Sequence, residues 1–273
     1  MSTHSPSRAP GRRRRPSADP VQIVDLHQRP WEPTAEPGLR LKTVYRDDAL
    51  GRFLGLVGFD AMTRSGLHQH QGVATSFVID GGLTDHHGSV RLHEAGINLR
   101  GATHDAIAYQ DTVLVSRLEG PVTYPPERAA LSGLHAGSRH AEIVNPDPDA
   151  PPEINVPVDA LPAWQTGLPG ITRRTVFDYA GTGSAHRFVQ LALRPGCVLP
   201  PWQAGGATDL WVRGGQVVLN GQTVLANSFI VLPAGALVDL SSPHGALVLA
   251  WAEAPERWDS AEGRADGANL FGF

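Results

Sequence analysis

Apolar and polar residues alternate over short runs along most of the chain. In the first half these runs are Arg40–Tyr45, Arg52–Phe59, Thr75–Ile79, Ser89–His93, Ala106–Tyr109 and Thr112–Arg117. In the second half they are Arg173–Tyr179, Arg187–Leu193, Asp209–Val212, Gln216–Leu219, Ser228–Leu232 and Ala246–Glu253. Side chains of period two, broken every few residues by Gly, Asp-Asp or Gly-Gly, predict strands joined by tight turns, as in a sandwich or barrel rather than a series of βαβ units. One weak helical candidate, Pro126–Leu134, stands apart from this pattern.

The two sets of strands belong to a duplicated motif. Trp31, Pro37-Gly38-Leu39, Thr43-Val44-Tyr45, Arg52-Phe53 and Gly81-Gly82 are matched by Trp164, Pro169-Gly170-Ile171, Thr175-Val176-Phe177, Arg187-Phe188 and Gly214-Gly215. The offset of about 133 residues is domain-sized, so two similar units of about 100 residues each are expected rather than a solenoid. Residues 1–20 form a Ser/Pro/Arg-rich segment expected to be disordered, and residues 21–124 form the first unit. Residues 125–162, with Asn145-Pro146-Asp147-Pro148-Asp149, read as a linker. Residues 163–258 form the second unit, and 259–273 a tail whose Leu270-Phe271-Gly272-Phe273 is a candidate for docking on a barrel.

Composition narrows the functional classes. The chain is 41% hydrophobic and 18% charged, and its net charge of −4 argues against a general nucleic-acid binder despite the local Arg12-Arg13-Arg14-Arg15 block. No apolar run approaches the ~20 residues of a membrane helix. No apolar stretch follows the arginines, as an export signal would require, so the expectation is a cytoplasmic protein without a membrane partner. The single Cys197 excludes an internal disulfide and a thiolate zinc cluster, and a buried thiol is the simplest reading of it. Any bound metal would be held by histidine and oxygen.

One group of residues in the first unit has that chemistry. His68 and His70 are separated by one residue, so on a strand both imidazoles face the same side. His104, after the Gly101-Ala102-Thr103 turn, offers a third imidazole that sheet closure can bring to the same ion. In the second unit the matching segments read Pro201-Trp202-Gln203 and Pro233-Ala234-Gly235-Ala236-Leu237-Val238, in which no histidine remains.

These residues resemble the two cupin motifs. His68-Gln69-His70 with Gly81 is similar to the first motif, and Gly101 with His104 to the second. The resemblance implies an all-β fold of two tandem cupin barrels, each a double-stranded β-helix or jelly roll, with the metal in the first and a degenerate second. Two positions depart from the pattern: the usual glutamate falls on Ala74 or Thr75, and the usual proline on Leu99. Within the cupins, the run from His68 through Phe77 to Gly81, with Gly101-Ala102-Thr103-His104-Asp105-Ala106, resembles ChrR-type cupins and 2,4′-dihydroxyacetophenone or acetylacetone dioxygenase-like proteins. That branch implies an Fe(II) centre held by His68, His70 and His104, acting with dioxygen on a small β-dicarbonyl or hydroxyketone. Zn(II) or another divalent ion suits the same ligands. The alternatives are a non-catalytic zinc-binding sensory cupin and a metal-assisted isomerase or small-molecule binder. The helical zinc domain expected of a ChrR-type anti-sigma factor does not fit the first 20 residues, which are short and proline-rich.

Other residues are candidates around such a centre. Glu94 and Asp105 could accept a hydrogen bond from a ligand imidazole, and exposed strand-end carboxylates are the alternative. Thr75, Phe77, Ile79 and Tyr109 are candidates for the pocket wall, against simple core packing. His86, His87 and His93 crowd the same stretch, where one could be a fourth ligand or all could lie at a hairpin tip. Arg52, Arg91 and Arg100 could hold a substrate carboxylate or lie in solvent. His135, His140, His186 and His244 read as structural or exposed. A bicupin chain of this kind is expected to be a monomer or a homodimer.

Overall fold

In the computed structural model the described residues are 20–124, 153–258 and 267–273. The Arg-rich segment up to residue 19, the Pro126–Leu134 helix candidate, His135 and His140 lie outside them. The described residues are strands and turns throughout, apart from a 3-10 turn at Val158–Ala160. None of them forms a helix long and apolar enough to cross a membrane.

Two jelly-roll barrels pack together. The large sheet of the first runs, in antiparallel order, 154–157, 94–98, 74–80, 112–119, 52–59, 39–47 and 32–33. Facing it are two small sheets, one of which joins Thr103–His104, His68–His70 and Val122–Thr123. The second barrel repeats this plan around the long strand Thr208–Leu219, which bends at the bulge between Val212 and Gly214 and so contains two of the runs expected as separate strands.

The barrels exchange strands. Gln22–Asp25, expected in the first unit, pairs with Ser228–Leu232 of the second barrel. Ile154–Pro157, expected in the linker, pairs with Glu94–Asn98 of the first. The exchange satisfies edge backbone groups that would otherwise be free to pair elsewhere. A further difference lies at Ser89–His93: the strand ends at Arg91, His93 turns with φ 64°, and a separate strand follows at Glu94–Asn98.

The period-two alternation divides each large sheet into two faces. Leu54, Leu56, Phe77, Ala95, Ile97 and Val115 of the first barrel meet Phe188, Trp211, Phe229, Leu249 and Trp251 of the second in a shared core. The opposite face of the first sheet, with Val57, Ala74, Ser76, Asn98, Leu114 and Ser116, lines a cavity of about 180 Å³. The second barrel is filled at the corresponding place by a large apolar cluster that includes Trp202, Val238 and Leu240. Leu270 and Phe271 dock into it, with the Phe271 ring 5.8 Å from that of Trp202. A cavity of about 20 Å³ remains there.

Strand register corrects the alignment of the two motifs by one residue. Thr103 and His104 pair with Gln69 and His68, and Leu237 and Val238 pair with Gln203 and Trp202. The His70 and Ala204 amides donate to Ala102 O and Ala236 O, each at 2.9 Å. His68, His70 and His104 are therefore matched by Trp202, Ala204 and Val238, not by the span Pro201-Trp202-Gln203. None of the three replacements offers a lone pair to a metal ion.

Candidate metal centre

The His68–His70 strand holds the first two imidazoles on one face, and the Thr103–His104 strand beside it supplies the third. The turn leading into the second strand is set by Gly101 at φ 94°, whose amide donates to His70 O at 2.7 Å. A residue with a Cβ is strained at that angle. The His104 Nε2 lies 3.2 Å from the Nε2 of His70 and 3.2 Å from that of His68. His70 and His104 are buried and His68 half-buried, and they form one group able to hold a metal ion.

Hydrogen bonding at the other ring nitrogens defines the tautomers. His68 Nδ1–H donates to Gly66 O at 2.7 Å, and His104 Nδ1–H to Asp85 Oδ2 at 3.1 Å. With Nε2 deprotonated, as metal binding requires, both Nε2 atoms direct lone pairs toward one point. Nitrogens about 2.1 Å from a common ion stand about 3.0–3.4 Å apart, depending on octahedral or tetrahedral geometry. The observed separations fit that range, and two lone pairs so close favour a cation between them.

Electrostatics at the three rings is uneven. Burial, reinforced by the neighbouring His68 and His104, holds His70 well below the usual imidazole range. Burial acts in the same direction on His104 but is outweighed by the hydrogen bond to Asp85 and the nearby Glu153 carboxyl, which raise its pKa to about 9. Asp85 resists burial because His104, Glu153 and the His87 backbone N–H stabilise its charge, so its pKa falls below the usual carboxylate range. Burial pushes the Glu153 carboxyl up.

Asp85 and Glu153 replace the acceptors expected from sequence. Asp85 sits in the Gly82–Asp85 strand, its Oδ1 accepting the His87 and Gly88 amides at 2.8 and 3.2 Å. Its spacing in Asp85-His86-His87-Gly88 reads as an ordinary hairpin turn, which conceals its contact with His104. Glu153 reaches the centre only through the strand exchange, with Oε2 3.6 Å from His104 Nδ1. Asp105 instead pairs with Arg64, both buried. Glu94 accepts the Arg91 amide at 2.9 Å.

The remaining candidates are distributed by strand parity. Thr75 borders the cavity, but its hydroxyl accepts the Trp251 indole N–H at 2.9 Å from the opposite side. Phe77 lies in the shared core, fully buried, with the His93 ring stacked 6.2 Å from it. Its assignment to the pocket wall is therefore incorrect, and His93 Nδ1 faces Asp159 at 3.6 Å rather than the centre. Ile79 packs on the same core. Tyr109 is 47% exposed and contributes nothing to the cavity. His86 and His87 do not join the three histidines, and Arg52, Arg91 and Arg100 do not line the cavity. His186 donates to Glu119 at 3.1 Å, and Cys197 is a buried free thiol raised by burial.

The fold is that of a bicupin, two cupin jelly-roll barrels in one chain. Residues 20–123 match the model of the ChrR cupin-like domain family. A search of curated proteins gives no match. Among solved structures the chain is similar to a candidate dioxygenase from Nostoc punctiforme, at 11% identity and TM-score 0.63, covering 84% of this chain and 81% of that one. It is also similar to oxalate decarboxylase from Bacillus subtilis, at 10% identity and TM-score 0.59, over 87% and 78% of the two chains. The Lactobacillus farciminis oxalate decarboxylase gives 12%, 0.60, 87% and 88%.

Proposed function

We propose that the protein is a mononuclear non-haem Fe(II) dioxygenase that cleaves a carbon–carbon bond in a small β-dicarbonyl or hydroxyketone. The observation that carries this reading is the convergence of three imidazole nitrogens at the cavity of the first barrel. His68, His70 and His104 would hold the ion without a carboxylate ligand, so its full charge remains available to an anionic chelating substrate. Iron supplies the reaction with dioxygen when bound; zinc does not. Val57, Leu114, Leu118 and Val122 would exclude water and pack an apolar substrate body. The buried Asn98 Oδ1 has no hydrogen-bond partner among the described residues and is suited to accept a substrate hydroxyl.

The test is metal analysis of the protein beside His104→Ala after anaerobic loading with Fe(II) or Zn(II), followed by oxygen-uptake assays with small diketones and hydroxyketones. About one iron per chain, lost in the variant, with substrate-dependent oxygen uptake is expected. Retention of zinc alone without oxygen uptake overturns the dioxygenase reading and favours a sensory cupin of the kind the ChrR match suggests. No specific metal overturns the centre itself.

A pH dependence follows from the same nitrogens. His104 binds a proton up to about pH 9 in the metal-free protein, and a metal ion must displace it. The raised pKa favours the protonated form below that value, so competition weakens as pH rises. The apparent association constant for Zn(II), followed by calorimetry, is expected to rise about tenfold per pH unit from about pH 7 to 9 and then to level. A flat profile would show that no proton is displaced.

A further inference from the structure

The first cupin motif lacks its glutamate here, and the positions that could carry one are otherwise engaged. Ala74 is a small residue in the cavity wall, and Thr75 is bonded to Trp251 of the second barrel. Two buried carboxyl groups nevertheless reach the centre. Asp85 and Glu153 both face His104 Nδ1, Asp85 at 3.1 Å and Glu153 at 3.6 Å, and their side chains are 3% and 8% exposed.

Glu153 stands immediately before Ile154–Pro157, the strand that pairs with Glu94–Asn98 through Ile97↔Ile154 and Gly96↔Asn155. A Cβ at Gly96 would overlap the Glu153 Oε1 and crowd the Ser76 hydroxyl. A glycine at this position thus makes room for a buried carboxyl at the cavity, which Glu153 also lines. The carboxyl is placed by backbone pairing of the exchanged strand with Glu94–Asn98 of the first barrel.

We infer that Glu153 is a positioning residue for the metal centre. With Asp85 it aims His104 Nε2 at the ion by packing a buried carboxyl against the far nitrogen of that imidazole. Carboxylates bonded to the far nitrogen of a ligand imidazole restrict the ring and strengthen it as a donor. The inference rests on the three-histidine reading and adds that docking of the segment before the second barrel completes the site of the first.

The test uses Co(II) as both ligand and spectroscopic reporter. Wild type, Glu153→Gln and Asn155→Ala are titrated with Co(II), and their visible spectra and thermal melts are compared. Asn155 donates to Ser89 O at 3.1 Å on the same strand and does not meet His104, so its variant reports simple loosening of the strand. Glu153→Gln is expected to bind Co(II) about 10–100-fold more weakly, with shifted d–d bands, while Asn155→Ala retains the wild-type spectrum. Glu153→Asp keeps the carboxyl on a shorter stem and is expected to fall between Gln and wild type, which tests the role even if the Gln variant folds poorly. Unchanged affinity and spectrum in Glu153→Gln, or the same loss in Asn155→Ala, overturns the inference while leaving the centre intact. A wild type that binds no Co(II) overturns the three-histidine reading instead.

Discussion

Replacing Arg117 with alanine is expected to destabilise the protein by about 3–5 kcal/mol, the range for breaking a buried ion pair from one side. Arg117 is 5% exposed and reaches from the first barrel to Asp209 of the second, its Nε 3.0 Å from Oδ2. It also pairs with Glu119 and approaches Glu253 Oε1 at 3.5 Å, while Tyr45 donates its hydroxyl to Asp209 Oδ2 at 2.9 Å. Alanine would leave the Asp209 carboxylate, itself 4% exposed, without a counter-charge. In a thermal melt the midpoint should fall by on the order of 10 °C.

The pH dependence of that loss has a definite sign. Burial raises the Asp209 pKa, and Arg117 acts against it. Without the guanidinium the carboxyl rises further, so its protonated form contributes stability at acid pH that is lost as pH increases through the folded-state pKa. The gap between Arg117→Ala and wild type should therefore widen from acid to neutral pH. Arg117→Met combined with Asp209→Leu should recover most of the loss, because it removes both buried charges. A single-variant loss below about 1 kcal/mol, the range of a solvent-exposed pair, would contradict this account.

The second large effect is expected from Trp251→Ala, also about 3–5 kcal/mol. The Trp251 ring is 1% exposed and stacks on Phe188 with centroids 4.5 Å apart and planes 10° apart. Its Nε1–H donates to Thr75 across the shared core at 2.9 Å. Truncation removes a large apolar volume where close packing cannot collapse easily, together with the stacking. Trp251→Phe keeps most of that volume and should lose less. Once refolded, both variants should bind metal as wild type does, because Trp251 lies on the face of the sheet opposite the cavity. Denaturation and Zn(II) titration on the same samples separate the two roles. A metal affinity that falls with stability would show that the shared core and the centre are energetically coupled.

Local patterns in the chain determined a great deal. The alternation of polar and apolar residues specifies strands, the duplication specifies two barrels, and the His-x-His spacing puts His68 and His70 on one face of a strand. Replacement of the histidines in the second copy also signals a barrel that binds no metal by this motif, and its core explains the substitution: Trp202, Ala204 and Val238 belong to the apolar cluster that fills the place. These are short-range properties, readable because strand periodicity needs only neighbouring residues.

Tertiary structure decided which face of each strand meets which partner. Phe77 and Ser76 are adjacent in sequence, yet one enters the shared core and the other the cavity, a choice set by packing of the second barrel. Asp85 is brought to His104 by sheet closure, and Glu153 by an exchange of strands between barrels. Neither contact leaves a local pattern, because both depend on backbone pairing between segments far apart in the chain. The three histidines able to hold an ion are thus legible in the sequence, whereas the carboxyl groups beside His104 emerge only once the two barrels have packed.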